Sequence, residues 1–181
     1  TDNSEYEDYP SQTKIISALK FSGKTNSGLS VGILDAITAK ENAKYRDSTN
    51  TETLQAVEPF ANSLVLRLKQ DLKDGKIIFG GFLTNKQQVL NTNYLRSSFV
   101  SKANVMGADF EYALPDPAWV VSGYTATSTL LGTEKIVSEI QRNSAHYFQR
   151  PDDKIALDTT KTQLDGTSSE LSLTKISGKN I

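Results

Sequence analysis

Residues 105–127 read VMGADFEYALPDPAWVVSGYTAT, and the conformation of this stretch constrains the rest of the chain. If it is extended, Met106, Ala108, Phe110 and Tyr112 share one face while Asp109 and Glu111 point the other way. That two-residue period belongs to a strand with one apolar and one wet side. Pro115 and Pro117 flank Asp116; each removes a ladder donor and fixes φ, so the strand has to stop there. Ala118 to Thr127 returns with apolar or small residues on both sides, which leaves its inward face open. The stretch predicts a β-hairpin.

Working outward, the same pattern recurs. Ser63 to Leu72 sets Leu64, Leu66 and Leu68 against Arg67 and Lys69; Asp74-Gly75 supplies a tight turn, and Ile77 to Thr84 comes back. Lys14 to Ser22 and Leu29 to Thr38 flank a turn over residues 23–28. In the second of these strands Leu29, Val31 and Ile33 alternate, but Asp35 then falls on their face. A bulge near Gly32 or a change of environment would accommodate it. Lys161 to Lys175 reads as two further strands turning near Gly166. Between the pairs lie three long polar stretches: residues 39–62, holding an apolar patch from Leu54 to Phe60, residues 85–103, and residues 128–160. Within the last, Thr133 to Asn143 has helical spacing, with Ile136, Val137 and Ile140 on one side and Glu134 near the start. Residues 1–13 read as a solvated loop or tail, with a cation site of Glu5, Glu7 and Asp8 as the alternative.

Composition narrows the function classes. The 181 residues carry a formal net charge of −1, so no global attraction to nucleic acid is expected. Cysteine is absent, which excludes disulfides and thiol chemistry and disfavours structural zinc. No apolar run approaches about 18 residues, the length of a membrane-spanning helix. Barrel strands cross a membrane with only about 10 residues of alternating character. The opening residues Thr1 to Glu5 are polar and acidic, unlike a signal peptide, and predict a mature start or an internal segment.

Connection lengths then separate two architectures. They alternate between short, at about two to six residues, and long, at about twenty to thirty. No crossover helix long enough for a parallel sheet intervenes. Short turns at one rim and long loops at the other are the pattern of an outer-membrane barrel. The prediction is therefore an all-β fold, an antiparallel up-and-down transmembrane β-barrel segment of about six to eight strands within one domain spanning residues 1–181. The alternative is a soluble secreted β-sandwich that binds carbohydrate.

Ile15 to Thr38, Val57-Glu58-Pro59, Gly107-Ala108-Asp109-Phe110 and Tyr147-Phe148-Gln149-Arg150-Pro151-Asp152 resemble, in order, segments of an uncharacterised family of Gram-negative outer-membrane β-barrels. Members commonly follow a module similar to family 9 carbohydrate-binding domains. That module is absent here, and the chain is shorter than the family's barrel, so the resemblance implies an internal piece of a longer barrel. It implies localisation in the bacterial outer membrane and contact with its lipid, with carbohydrate or other outer-membrane proteins as partners. It carries no catalytic residues to transfer.

The candidate site residues follow from strand parity. Asp109 and Glu111 lie on one face about 6.5–7 Å apart. Such a pair could act on a glycosidic bond, but it is more often simply the wet side of a strand. Arg67 and Lys69 read the same way, and opposite signs on two hairpins suit a lumen laced with ion pairs. All four are predicted to face the lumen. Tyr147, Gln149, Arg150 and Asp152 could grip a ligand; a staple in which Arg150 pairs with an aspartate to pin a long loop is the favoured reading. His146 is the single histidine and lacks H-x-x-H spacing. Gly80-Gly81 sits inside a strand and reads as close packing or a bend. Phe21, Tyr112 and Trp119 lie at or beside turns, where an interfacial girdle would put them. No cofactor, metal, nucleic acid or catalytic role is expected.

Overall fold

The computed structural model describes residues 4–47, 49–115, 119–144 and 156–177. In chain order the elements are β1 (Ser4–Asp8), β2 (Ile15–Lys24), β3 (Leu29–Thr38), β4 (Glu41–Asp47), β5 (Glu52–Glu58), β6 (Phe60–Leu72) and β7 (Ile77–Val89). They continue as α1 (Asn93–Ser98), β8 (Lys102–Ala113), β9 (Trp119–Leu131), α2 (Glu134–Arg142) and β10 (Gln163–Lys175). Seven strands form one sheet in the order β10-β9-β8-β7-β6-β3-β2, every neighbour antiparallel. This is the predicted meander, with the β4–β5 hairpin inserted at one rim. Among the described residues the sheet is open: β2 and β10 are its edges, and no closed barrel is present.

Hairpin chemistry sets the short rim. The β6–β7 turn takes Lys73, Asp74 and Gly75 all at positive φ, a conformation that Asp and Gly tolerate better than branched residues. At the β2–β3 turn Gly28 has φ 88°, and a Cβ there would lie 2.5 Å from the Asp71 carbonyl oxygen. Only glycine lets the two turns touch. Lys24 and Asp71 form an ion pair across them.

The opposite rim carries the long connections, and these are more structured than their sequence suggests. Residues 39–62, read as one long loop, contain β4 and β5 and the start of β6. Part of the predicted amino-terminal tail is β1, which pairs with β4 to complete a sheet ordered β1-β4-β5. The polar stretch 85–103 holds the end of β7 and the short α1, capped by Thr92, whose hydroxyl accepts from the Leu95 amide at 3.2 Å. Lys161 to Lys175 holds one strand rather than two: Gly166 sits mid-ladder opposite Ser128 without a turn. The predicted helix is present as α2, with Thr133 as its N-cap.

The tight core lies in this cap. Ala43, Ala56, Val57, Pro59, Leu95 and Val137 are buried there, and α1 packs against both β5 and α2. Helices of 6 and 9 residues are too short to persist alone, so this burial holds them. The Thr133 hydroxyl also donates to the Arg96 carbonyl at 3.0 Å, tying the α2 cap to α1. Gln141, 1% exposed, fastens the returning chain: its Nε2 donates to the Asp158 carbonyl at 2.8 Å and its Oε1 accepts from the Asp158 amide at 3.0 Å. Just beyond, Thr160 donates its amide and hydroxyl to Asp158 Oδ1 at 3.0 and 2.7 Å. These bonds, the hydroxyl's first, hold the Asp158 carboxyl below the usual carboxylate range.

Candidate functional site

Register assigns every strand residue of the large sheet to one of two faces. Arg67 and Lys69 of β6 share a face with Gly80 and Phe82 of β7, Gly107, Asp109 and Glu111 of β8, Tyr124 of β9 and Glu170 of β10. Leu64, Leu66 and Leu68 lie on the other face with Phe79, Leu83, Met106, Phe110, Tyr112, Leu171 and Leu173.

On the charged face Arg67 reaches across β7 to Asp109. Its Nη2 donates to Oδ1 at 2.8 Å and its Nη1 to Oδ2, a bidentate pairing. The side chains remain 42% and 28% exposed, so screening keeps the contribution of the pair near 1 kcal/mol. Gly80 makes the span possible. A Cβ on it would stand 2.5 and 2.7 Å from the Asp109 oxygens and 2.6 Å from Arg67 Nη2. Both carboxylate oxygens of Asp109 are engaged by the guanidinium.

Arg67, Lys69, Asp109, Glu111, Tyr124 and Glu170 together line an open depression of about 320 Å³. The Tyr124 hydroxyl and Ser168 Oγ lie 3.2 Å apart and steady its far wall. Three acidic and two basic groups face one another, so the lining is mixed in sign with a slight acidic excess. A larger hollow of about 580 Å³ opens between the two short turns, but turn residues and the Lys24–Asp71 pair form it. It lacks the convergence of charges from three strands, and the smaller depression is the better candidate. Among the described residues no cluster of His, Asp and Glu has the arrangement of a metal site.

The opposite face carries an apolar band with a polar border. Toward the cap, Asp35 accepts from Asn62 Nδ2 at 2.8 Å, Asn85 donates to Asn104, and Asp165 accepts from Thr129 Oγ1 at 2.8 Å and Gln163 Nε2 at 2.7 Å. The puzzle of Asp35 is thus resolved by environment: the β3–β6 register runs through Gly32 without a bulge. Below the border nine large side chains of this face (Leu19, Phe21, Leu68, Leu72, Phe79, Met106, Tyr112, Leu171 and Leu173) stand exposed. Two glycines complete its packing logic and that of the charged face: Phe82 lies over Gly107 and Phe110 over Gly123, in direct cross-strand pairs.

The residues predicted to face a lumen, Arg67, Lys69, Asp109 and Glu111, share one face of the sheet and one depression. Sequence parity missed Tyr124, because the β9 stretch is apolar or small on both sides, and Glu170, because a turn was expected near Gly166. Tyr147, Gln149, Arg150 and Asp152 lie outside the described residues, as does His146. Among the described residues no helix is long and apolar enough to cross a membrane, which leaves strands unaddressed.

These features define an all-β protein whose principal sheet is a long antiparallel meander with one apolar and one charged face. Within that class, the chain belongs to the family described as Domain of unknown function (DUF5916), matched over residues 1–180. No curated protein and no solved structure matches it.

Proposed function

We propose that this chain is a segment of a β-barrel wall in the bacterial outer membrane, serving transport, surface binding or assembly without a catalytic step. The apolar band carries the reading. Through the ladders, Leu19 and Phe21 of β2 are in register with Asp165 and Thr167 of β10, yet the apolar pair on β10 is Leu171 and Leu173, six residues further along. Six residues are about 20 Å of strand and six interstrand steps about 29 Å, so the band crosses the ladders at about 35°. Strands of membrane barrels tilt by about 35–45°, and a level hydrocarbon layer would cut them along such a diagonal.

Energetics point the same way. Nine half-exposed side chains at about 1 kcal/mol each amount to about 9 kcal/mol, comparable with the whole stability of a domain. Something apolar covers this face, and lipid fits a band that follows the tilt. On this reading the Arg67–Asp109 depression faces the lumen and tunes which polar solutes pass or bind, lipid is the partner outside, and carbohydrate or another outer-membrane protein the partner inside or above. A soluble carbohydrate-binding sandwich would need a second sheet stacked over Phe79 and Met106. A spin label at position 66 separates the two. Relaxation by lipid-dissolved oxygen with shielding from a water-soluble agent is the expected result; equal protection from both would mean a protein core and end the barrel reading.

A further inference from the structure

Seven strands in strict antiparallel succession leave the two outermost strands pointing the same way. β2 starts at the long-connection rim, where Ile15 faces Thr38, and runs toward the short turns. β10 does likewise, from Gln163 opposite Leu131 to Lys175 opposite Trp119. If the sheet closed directly, β2 beside β10 would be a parallel pair in an otherwise antiparallel meander.

The usual edge defences are sparse: β2 carries Lys20, Lys24 and one register irregularity between Ile15 and Ser17, and β10 carries Asp165, Glu170 and Lys175 without a bulge. β2 is exposed along all 10 residues and β10 along nearly all 13, which is long for an edge. β10 contains no proline, and its ladder to β9 is unbroken by any bulge. Leu171 and Leu173 are 76% and 60% exposed, Leu19 and Phe21 63% and 56%. In soluble sheets such an edge templates aggregation, and natural edges are shortened, bulged or charged against it. These are built to be paired.

We propose that the outer edges of β2 and β10 are pairing sites for an odd number of further amphipathic β-strands, at least one, each strand next to these edges running antiparallel to them. This rests on the barrel reading for its closure, and on the sheet alone for its pairing. The strand beside β10 carries apolar residues level with Leu171 and Leu173 and small or polar ones level with Ser168, Glu170 and Ser172, continuing both faces. A second copy cannot supply it. Copies inserted in one membrane share an orientation, so any β2 or β10 edge of one meets any such edge of another in parallel.

Two measurements on the intact protein in its membrane test the proposal. Backbone amide exchange along 163–175 should be slowed about 100-fold at successive residues, including those whose N–H groups point away from β9. Rapid exchange at alternate residues would mean an unpaired edge and overturn the proposal. The second is a disulfide scan in this cysteine-free stretch, with Ser172→Cys set in turn against Lys20→Cys, Ser22→Cys and Lys24→Cys. No bond should form; a bond at any position means direct closure of β10 on β2 and overturns it. Protection that fades on dilution would assign the partner to a second copy and also overturn it. If the edges are protected while the label at position 66 is shielded from both relaxation agents, the barrel reading fails and the strand-pairing inference stands.

Discussion

At position 80 a side chain and an ion pair compete for the same space. Gly80→Ala puts a methyl group within hydrogen-bonding distance of three charged atoms, so either the Arg67–Asp109 pair opens or β7 shifts. A cost of about 1–3 kcal/mol is expected in thermal or denaturant unfolding. The pair itself is worth less, so the variant should be markedly milder in an Asp109→Ala background; equal costs in both would show that the pair is not what the methyl displaces. Gln141 makes the complementary case in the cap. Its amide holds both backbone groups of Asp158 from a buried position, so Gln141→Ala should cost about 1–3 kcal/mol and speed amide exchange at Asp158. Asp158 brings pH dependence. Its folded-state pKa is depressed, so its contribution is present above the unfolded value of about 4 and lost as pH falls through the folded one. The Tm advantage of the parent over Asp158→Asn should be constant above about pH 5 and shrink in more acid solution.

Strand β6 shows how far one element could be read in advance. Its alternation of leucine with arginine and lysine is local, and parity alone assigned Leu66 and Arg67 to opposite faces. If the sheet is a barrel wall, Leu66→Arg would place a cation in hydrocarbon at about 2–4 kcal/mol, while Arg67→Leu would remove a polar contact on the other face at about 1 kcal/mol. Unfolding in lipid or detergent should rank them so. Elements whose identity depends on partners were the ones misread. β1 is polar and becomes a strand only because β4 lies beside it. α1 is six residues long and is held by the burial of Leu95 in tertiary contact. Gly166 carries a turn signal that the β9 ladder overrides. The lining was legible where charges alternate with leucines, as in β6. It was illegible in β9, where small residues on both sides hide the face to which Tyr124 belongs.

For the molecule as a whole, the two rims differ in kind. The β2–β3 and β6–β7 turns at one are tight and held by backbone geometry; the described parts of the connections 39–59, 90–101 and 132–162 at the other build a small folded cap with its own core. If the sheet spans the membrane, protease added to intact cells should cut within those three connections and spare the short turns; cuts confined to the turns would invert the topology. The cross-strand glycines have a consequence on this scale. A slip of one residue between neighbouring strands is forbidden because it turns leucines onto the charged face. A slip of two preserves the faces and costs nothing in amphipathic terms. It would, however, drive Phe82 onto Val105 or Asp109 and Phe110 onto Val121 or Thr125, where glycine had made room. In a barrel the sum of such offsets is the shear, and shear with strand number fixes the radius. If the sheet is part of a barrel wall, two residues without side chains, Gly107 and Gly123, would therefore act as a gauge for its bore.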